Sequence, residues 1–234
     1  MKHSNRIIAG LVFLILSVSP EILNAQENLT ITGFNEISVS SGIDLYLTQS
    51  NSENIRINAH PDLLKNVIIE KQGKTLVIKY KNNLNWSKLV KNQGTKVYVN
   101  YKNLQALNAS GGSDVISQNT IKTESLALNA SGGSDMELQV NVKELDIHAS
   151  GGSDIDLKGS AVNMSAAISG GSDLDAFSLT TENARVTASG GSDANIQVTK
   201  ALDASANGGS DVNYKGNPAV KKSSDKSGDV NKVN

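Results

Sequence analysis

The chain has 234 residues, with 22 Lys and Arg against 23 Asp and Glu, and it contains no cysteine. The absence of cysteine excludes disulfides, thiolate chemistry and lipid attachment through an N-terminal cysteine. Residues 26–103 carry ten basic and six acidic side chains, whereas residues 104–216 carry six basic and fourteen acidic ones. An acidic region of this kind, with no basic stripe carrying aromatic residues elsewhere, argues against a nucleic-acid partner.

Residues 1–25 have the pattern of a secretory signal peptide. Lys2 and Arg6 give it a positive start, and residues 7–18 form an apolar core that is too short to span a membrane. We expect cleavage after Ala25, and no other long apolar run follows. The pattern therefore predicts an exported protein that is periplasmic, secreted or at the cell surface, that is not a lipoprotein, and whose mature chain has no integral membrane segment.

Residues 26–103 predict short alternating strands that form an irregular N-terminal β region or cap. The apolar residues of the segment Ile43–Leu47 recur with period two, which is typical of a strand with one buried face. We expect a helical turn within Pro61–Asn66 and a hairpin turn at Gln72–Lys74.

Residues 104–216 are organised around a repeated Ala-Ser-Gly-Gly-Ser-Asp motif. A period close to 20 residues is typical of a solenoid, in which each repeat buries its apolar face against its neighbours. The residue after each repeated Asp is apolar, so stacked repeats would share one continuous core. The first repeat fits less well, because Leu104 and Leu107 are out of phase by one residue. The repeated aspartates are Asp114, Asp135, Asp154, Asp173, Asp193 and Asp211.

These patterns predict an all-β protein in which 104–216 forms a right-handed parallel β-helix with rungs of about 20 residues. Consecutive rungs would lie ~4.8 Å apart. The paired glycines are expected at a corner that needs positive φ. Residues 217–234 resemble a degenerate last repeat or C-terminal cap, because Asp229 lies one more period after Asp211, and their lysines would blunt the open edge.

Several segments together resemble a known family, the head GIN domain of auto-transporter adhesins. The resemblance rests on Ser41–Gln49, the Asn83–Trp86 loop, the Val97–Tyr101 strand and the Gly-Gly-Ser-Asp repeats, and it covers roughly residues 28–216. It implies a single-stranded right-handed β-helix of the kind found in exported bacterial proteins. Asp44 stands where the family's name motif leads us to expect Asn.

The six repeated aspartates are candidate ligand-binding residues. Stacked carboxylates would repel by ~1 kcal/mol per neighbour even at the dielectric of water. We expect each carboxylate to accept hydrogen bonds from Ser and Gly N–H groups of its own turn. The alternative is a cation such as calcium that bridges adjacent rungs; the favoured reading has no metal and no cofactor.

The densest aromatic group in the sequence is Trp86 with Tyr80, Tyr98 and Tyr101, and it is a candidate platform for sugar stacking. The favoured alternative is that Trp86 holds its Asn-rich loop over the end of the helix. No catalytic residue is predicted, because the repeats preserve no histidine that could complete a nucleophilic site.

We therefore expect an exported, non-enzymatic, adhesin-like binding module that presents a polar β-helix face to a glycan or another envelope protein. One alternative is a structural envelope scaffold that self-associates into homo-oligomers. A less favoured alternative is a polysaccharide-degrading β-helix enzyme.

Overall fold

The computed structural model describes residues 25–81 and 94–234. In this part the chain is a β-solenoid of about seven turns with irregular strands at its N-terminal end, which confirms the predicted fold class. Nearly all of the regular structure in the described residues is strand, and their one helix has four residues. The signal peptide predicted at the start of the chain and the loop around Trp86 lie outside the described residues, apart from Ala25.

The N-terminal elements are β1 Ala25–Leu29, β2 Glu36–Ser40, β3 Ile43–Gln49, β4 Asn54–Ala59, α1 Pro61–Leu64, β5 Val67–Gln72, β6 Thr75–Tyr80 and β7 Thr95–Tyr101. The repeat and tail elements are β8 Ala106–Ser110, β9 Val115–Ser117, β10 Ile121–Ser131, β11 Asp135–Ser150, β12 Asp154–Ser169, β13 Asp173–Ser189, β14 Asp193–Asn207, β15 Asp211–Lys215, β16 Ala219–Ser224 and β17 Asp229–Lys232.

The first rung of the solenoid lies outside the repeats. Strands β2 and β3 pair in parallel with β8 and β9, so they stack directly on the first repeat. On their other side they pair in parallel with β6 and β7. Three antiparallel strands then cover this end: β4 on β7, β1 on β4 and β5 on β6.

The two local predictions for the N-terminal region are confirmed. Helix α1 occupies the predicted helical turn, and the His60 ring caps it by accepting a hydrogen bond from the Asp62 N–H. Strands β5 and β6 form the predicted hairpin, with Gly73 at φ 62° in the turn. The phase problem of the first repeat is resolved because Leu104 lies in the connection before β8 and Leu107 lies in β8, and both side chains are fully buried.

Each repeat contributes one rung in close register with the next. Asp135 lies opposite Asp154, which lies opposite Asp173, and inward and outward residues alternate along the long strands. In β11 the alternation breaks once, at the consecutive exposed residues Lys143 and Glu144. Inward columns of aliphatic side chains form one continuous core through all rungs. Truncating one such side chain to alanine typically costs about 2–5 kcal/mol.

The paired glycines form the corner predicted for them. In the third repeat Gly151 and Gly152 have φ of 75° and 76°, a region that favours glycine. A Cβ added to Gly151 would lie 3.2 Å from the backbone nitrogen of Gly132 in the rung before it. The first glycine of the pair is therefore required by both the backbone conformation and the closeness of the stacked corners.

A buried serine follows each glycine pair and satisfies the backbone of the corner. The Ser153 hydroxyl donates to the Ser150 carbonyl at 3.0 Å and accepts from the Ser150 N–H at 3.2 Å. The N–H groups of Gly152 and Ser153 donate to the Ser172 hydroxyl of the next rung at 3.1 and 3.0 Å. The fully buried members of this serine column are Ser113, Ser134, Ser153, Ser172, Ser192 and Ser210.

Candidate functional site

The candidate site lies on the outward face of the sheet formed by β4, β7, β3 and the strands that follow them. Residues in register present their side chains side by side, so the face is organised in rows that cross the strands. Three rows on β4, β7 and β3 form what we call the polar grid. Its rows are Asn54, Asn100 and Thr48; Arg56, Tyr98 and Tyr46; Asn58, Lys96 and Asp44.

The middle row of the polar grid is a three-layer stack. The Tyr46 and Tyr98 rings lie 4.8 Å apart between centroids at an interplanar angle of 17°. The Arg56 guanidinium lies over the outer face of Tyr98, 4.1 Å from its centroid, and the Lys96 ammonium lies 5.7 Å from the Tyr46 centroid. Cation–π contacts of this kind hold a cation in place without neutralising it.

The aromatic residues of the predicted platform are not brought together as expected. Tyr80 and Tyr101 point inward, with 5% and 0% of their surface exposed, so the expectation that they share a surface platform is wrong. The Tyr80 hydroxyl contacts Thr95 at 2.6 Å, and burial raises the pKa of Tyr101 far above its usual value. Tyr98 does lie at the surface, but its ring partner is Tyr46.

The alternation of apolar and polar residues within β3 and β7 is the sequence signal that places Tyr46 and Tyr98 at the surface. In β3 the apolar residues occupy odd positions, which places Tyr46 outward, and in β7 the same parity places Tyr98 outward and Tyr101 inward. The strand pairing that joins the two rings could not be deduced from alternation alone. Trp86 lies outside the described residues and remains a predicted platform residue.

The six repeated aspartates form a continuous outward row, which we call the aspartate ladder. It is longer than predicted from the repeats, because Asp44 continues it beside Asp114, and Asp229 continues it opposite Asp211. The sequence interpretation missed Asp44 because its corner is Ser41–Gly42 rather than a glycine pair.

The carboxylates of the ladder lie close enough to perturb one another. Partial burial, and then the neighbouring Asp135 and Asp173 carboxylates, raise the pKa of Asp154. Partial burial, followed by the Asp44 and Asp135 carboxylates, raises the pKa of Asp114. At the end of the ladder, burial also raises the pKa of Asp44, although the Lys96 charge opposes this.

A second acidic row runs parallel to the ladder, two residues further along each strand. Glu137, Asp156 and Asp175 lie side by side in this row. Partial burial, and then the charges of Asp175 and Glu137, raise the pKa of Asp156. Between the two rows lies a depression of about 240 Å³ that includes Asp135 and Asp154 in its lining.

The hydrogen bonding of the ladder differs from the expectation. Asp173 and Asp193 each accept a bond from the backbone N–H of the aspartate in the next rung, Asp193 and Asp211, at 3.2 Å. The predicted bonds from Ser and Gly N–H groups of the same turn go instead to the buried serine hydroxyls, such as that of Ser172. A serine accepts there because its side chain points into the corner, whereas the aspartate that follows points outward.

Within residues 25–81 and 94–234, no group of three or more His, Asp and Glu side chains is arranged to hold a metal ion. The two described histidines each lie near one carboxylate: His60 is 3.7 Å from Asp62, and His148 is 3.5 Å from Asp146. None of the helices in this described part has the length and apolar character needed to cross a membrane.

A family model described as "Putative auto-transporter adhesin, head GIN domain" matches residues 33–218. The chain belongs to this family. The match covers the polar grid strands and all of the glycine-pair repeats, so both lie within one head GIN domain. The division that we predicted at residues 103 and 104 stays a prediction, since β2 and β3 continue the stack of repeats across it.

Solved structures share the architecture of this head GIN domain. A putative adhesin from Bacteroides fragilis is similar with a TM-score of 0.84 at 20% identity, over 92% of this chain and 99% of that one. A putative adhesin from Parabacteroides merdae has a TM-score of 0.72 at 24% identity, over 90% and 96%. A protein from Parabacteroides distasonis named as a putative lipid binding protein has a TM-score of 0.69 at 21% identity, over 90% and 97%. At these identities the likeness shows the fold, and no curated protein matches the sequence.

Proposed function

We propose that this head GIN domain is an exported, non-enzymatic binding module that holds a glycan of the cell envelope on the polar grid and the adjoining ladder. The observation that carries the proposal is the Arg56–Tyr98–Tyr46 stack at the centre of a polar face. Enzyme and small-molecule sites are usually concave, whereas a flat sheet face suits an extended ligand.

The composition of the face favours a glycan over a protein partner. The core of a protein interface is usually more apolar than its surroundings. Among the described residues the large exposed hydrophobics are Val162 and Val220, which lie outside the polar grid. The grid instead offers amides, hydroxyls and phenols, which can both donate to and accept from sugar hydroxyls.

The proposed ligand extends from the grid onto the ladder. There the outward carboxylates would accept hydrogen bonds from sugar hydroxyls, which assigns a binding role to Asp114, Asp135, Asp154, Asp173, Asp193 and Asp211. Trp86 is a further proposed platform residue. The proposed binding requires no metal ion or cofactor, and none of its residues acts as a catalyst.

The comparisons support a binding role in general terms. The family description and two of the similar structures speak of adhesins, and the third speaks of lipid binding. None of these names is that of an enzyme. The alternative of end-to-end self-association has less support, because the C-terminal edge strand β16 carries Lys221 and Lys222, and lysines on an edge strand oppose strand addition.

The test is a glycan array probed with residues 26–234, together with two matched variants. Tyr98→Ala removes the ring that contacts both Arg56 and Tyr46, and we expect it to abolish most of the glycan signal. Phe177→Ala is the control, because Phe177 also stacks with a cation, Lys215 at 4.4 Å, but lies on a strand of the repeats. Equal loss in both variants, or no glycan signal for the unchanged protein, would contradict the proposal.

A further inference from the structure

The two cations of the polar grid contact aromatic rings, whereas several cations of the repeats contact carboxylates. Lys143, Lys158 and Lys200 each lie within 3.0 Å of a glutamate carboxylate. Arg56 and Lys96 instead contact tyrosine rings, and within the described part of the chain neither forms an ion pair. The guanidinium charge of Arg56 is therefore not offset by a carboxylate in an ion pair, whereas the charge of Lys96 is partly offset by the nearby Asp44 carboxylate.

The sign of the charge on this face reverses over a short distance. Lys96 lies opposite Asp44 in register, and beyond Asp44 the ladder continues through Asp114 and Asp135. Consecutive strands are ~4.8 Å apart, so the change from cationic to anionic occurs within one or two strand spacings. Such a boundary discriminates between ligands by where they carry their negative charge.

We infer that the polar grid binds one carboxylated sugar residue of an otherwise neutral glycan, through Arg56 and Lys96. The planar guanidinium of Arg56 matches the geometry of a carboxylate and is held in position by the Tyr98 ring. The neutral sugars then extend over the ladder, where Asp114 and the following carboxylates accept their hydroxyl hydrogens. This inference rests on the proposed function and adds the chemical class of the ligand.

The same geometry excludes two other classes of glycan as preferred ligands. A fully neutral chain offers the two cations only hydroxyl acceptors, which form weaker hydrogen bonds than a carboxylate does. A chain with a carboxylate on every sugar would lie along the ladder, and its charges would be repelled by stacked aspartates such as Asp135 and Asp154. The preferred ligand is therefore sparsely acidic.

The experiment compares neutral, singly carboxylated and fully carboxylated oligosaccharides of equal length on one array, with residues 26–234 at low ionic strength. We expect the singly carboxylated class to bind best. The best of these ligands is then carboxyl-reduced to the neutral sugar, which should weaken its affinity about tenfold. High ionic strength should narrow the difference between the two forms, because the contact is exposed to solvent.

Two variants test the residues assigned to the carboxylate. Arg56→Gln should weaken the carboxylated ligand about tenfold and leave the carboxyl-reduced ligand unchanged, and Lys96→Gln should act in the same direction. Arg185→Gln is the control, because Arg185 is also exposed but lies 3.7 Å from Asp203 on another part of the surface. Asp154→Asn should act in the opposite direction and increase binding of the fully carboxylated chain.

The outcomes separate the inference from the proposed function. If neutral or fully carboxylated chains bind as well as singly carboxylated ones, or if Arg56→Gln and Arg185→Gln behave alike, the inference is overturned and glycan binding stands. If no class binds, both fail. If Arg56→Gln abolishes the preference for the carboxylated ligand and Arg185→Gln does not, both the inference and the proposed function are supported.

Discussion

The N-terminal strands and the repeats build one sheet face by different means. In the repeats each rung copies the last, so glycine pairs, buried serines and outward aspartates form uniform columns. Among the described residues of the N-terminal region, only the Ser41–Gly42 corner follows that pattern, and antiparallel strands such as β4 are added beside it. The cations and stacked tyrosines of the grid occur only where the repetition stops. Uniform columns serve stacking, and a distinctive set of contacts requires strands that are not copies.

The largest expected effect tests whether the stacked corners dominate stability in the repeats. Gly170 and Gly171 have φ of 74° and 75°, but a Cβ on Gly170 would lie 3.1 Å from the Gly151 nitrogen, whereas one on Gly171 meets nothing within 4 Å. Gly171→Ala should cost about 1 kcal/mol from backbone strain alone, and Gly170→Ala about 3 kcal/mol. Chemical denaturation measures both, and equal losses would mean that corner stacking contributes little.

A second prediction concerns the serine column. Ser172→Ala leaves the N–H groups of Gly152 and Ser153 without their buried acceptor, so we expect a loss of about 1–3 kcal/mol in unfolding free energy. Ser165→Ala, at an exposed position of the same strand β12, should change stability by less than about 0.5 kcal/mol. Similar melting temperatures for the two variants would contradict the assignment.

The tyrosine stack of the N-terminal region is expected to contribute less to stability than the glycine corners and buried serines of the repeats. A double-mutant cycle with Tyr46→Ala and Tyr98→Ala should give a coupling energy of about 0.5–1.5 kcal/mol, as for other aromatic pairs. The comparison predicts that this stack contributes more to binding than to stability. A coupling as large as the loss in Gly170→Ala would instead make the stack a structural element.

The smallest expected effect is a dependence of stability on pH, which arises from the aspartate ladder of the repeats. The pKa of Asp154 is raised, so the folded protein holds that proton more tightly than the unfolded chain does. The contribution of Asp154 to stability should therefore increase as pH falls from neutral toward that raised pKa. Asp154→Asn removes this dependence, so it should melt slightly above the unchanged protein at neutral pH, and the gap should close as the solution is acidified. A difference in melting temperature that widens on acidification would show that the pKa of Asp154 is not raised in the folded protein.

Calcium supplies a control for the ladder. If the carboxylates are satisfied without a metal, added calcium or chelator should leave the melting temperature unchanged in both Asp154→Asn and the unchanged protein. A rise with calcium that Asp154→Asn abolishes would instead support a cation that bridges rungs.

The fold could be predicted from the sequence because each repeat carries the same pattern of apolar residues, paired glycines and aspartate. The apolar residue after each aspartate predicted the core, and the glycine pair predicted the corner. The candidate site could be predicted only in part, because it depends on pairings between strands that are distant in sequence. Asp44 joins the ladder only because β3 lies beside β9, and Tyr46 meets Tyr98 only because β3 lies beside β7. Tyr80 and Tyr101 were grouped by their nearness in sequence, although the alternation of β6 and β7 already placed both inward.

Because the rungs stack in close register, the number of repeats sets the length of the solenoid. Asp135, Asp154 and Asp173 stay opposite one another, so a whole rung such as residues 154–172 is a unit that begins and ends at equivalent points. Removing or duplicating it shifts the far edge of the molecule by ~4.8 Å relative to the grid and leaves the side chains at both ends unchanged. The number of repeats therefore sets the distance between the polar grid and the far edge of the solenoid, and a change in that number leaves the residues of the grid unchanged.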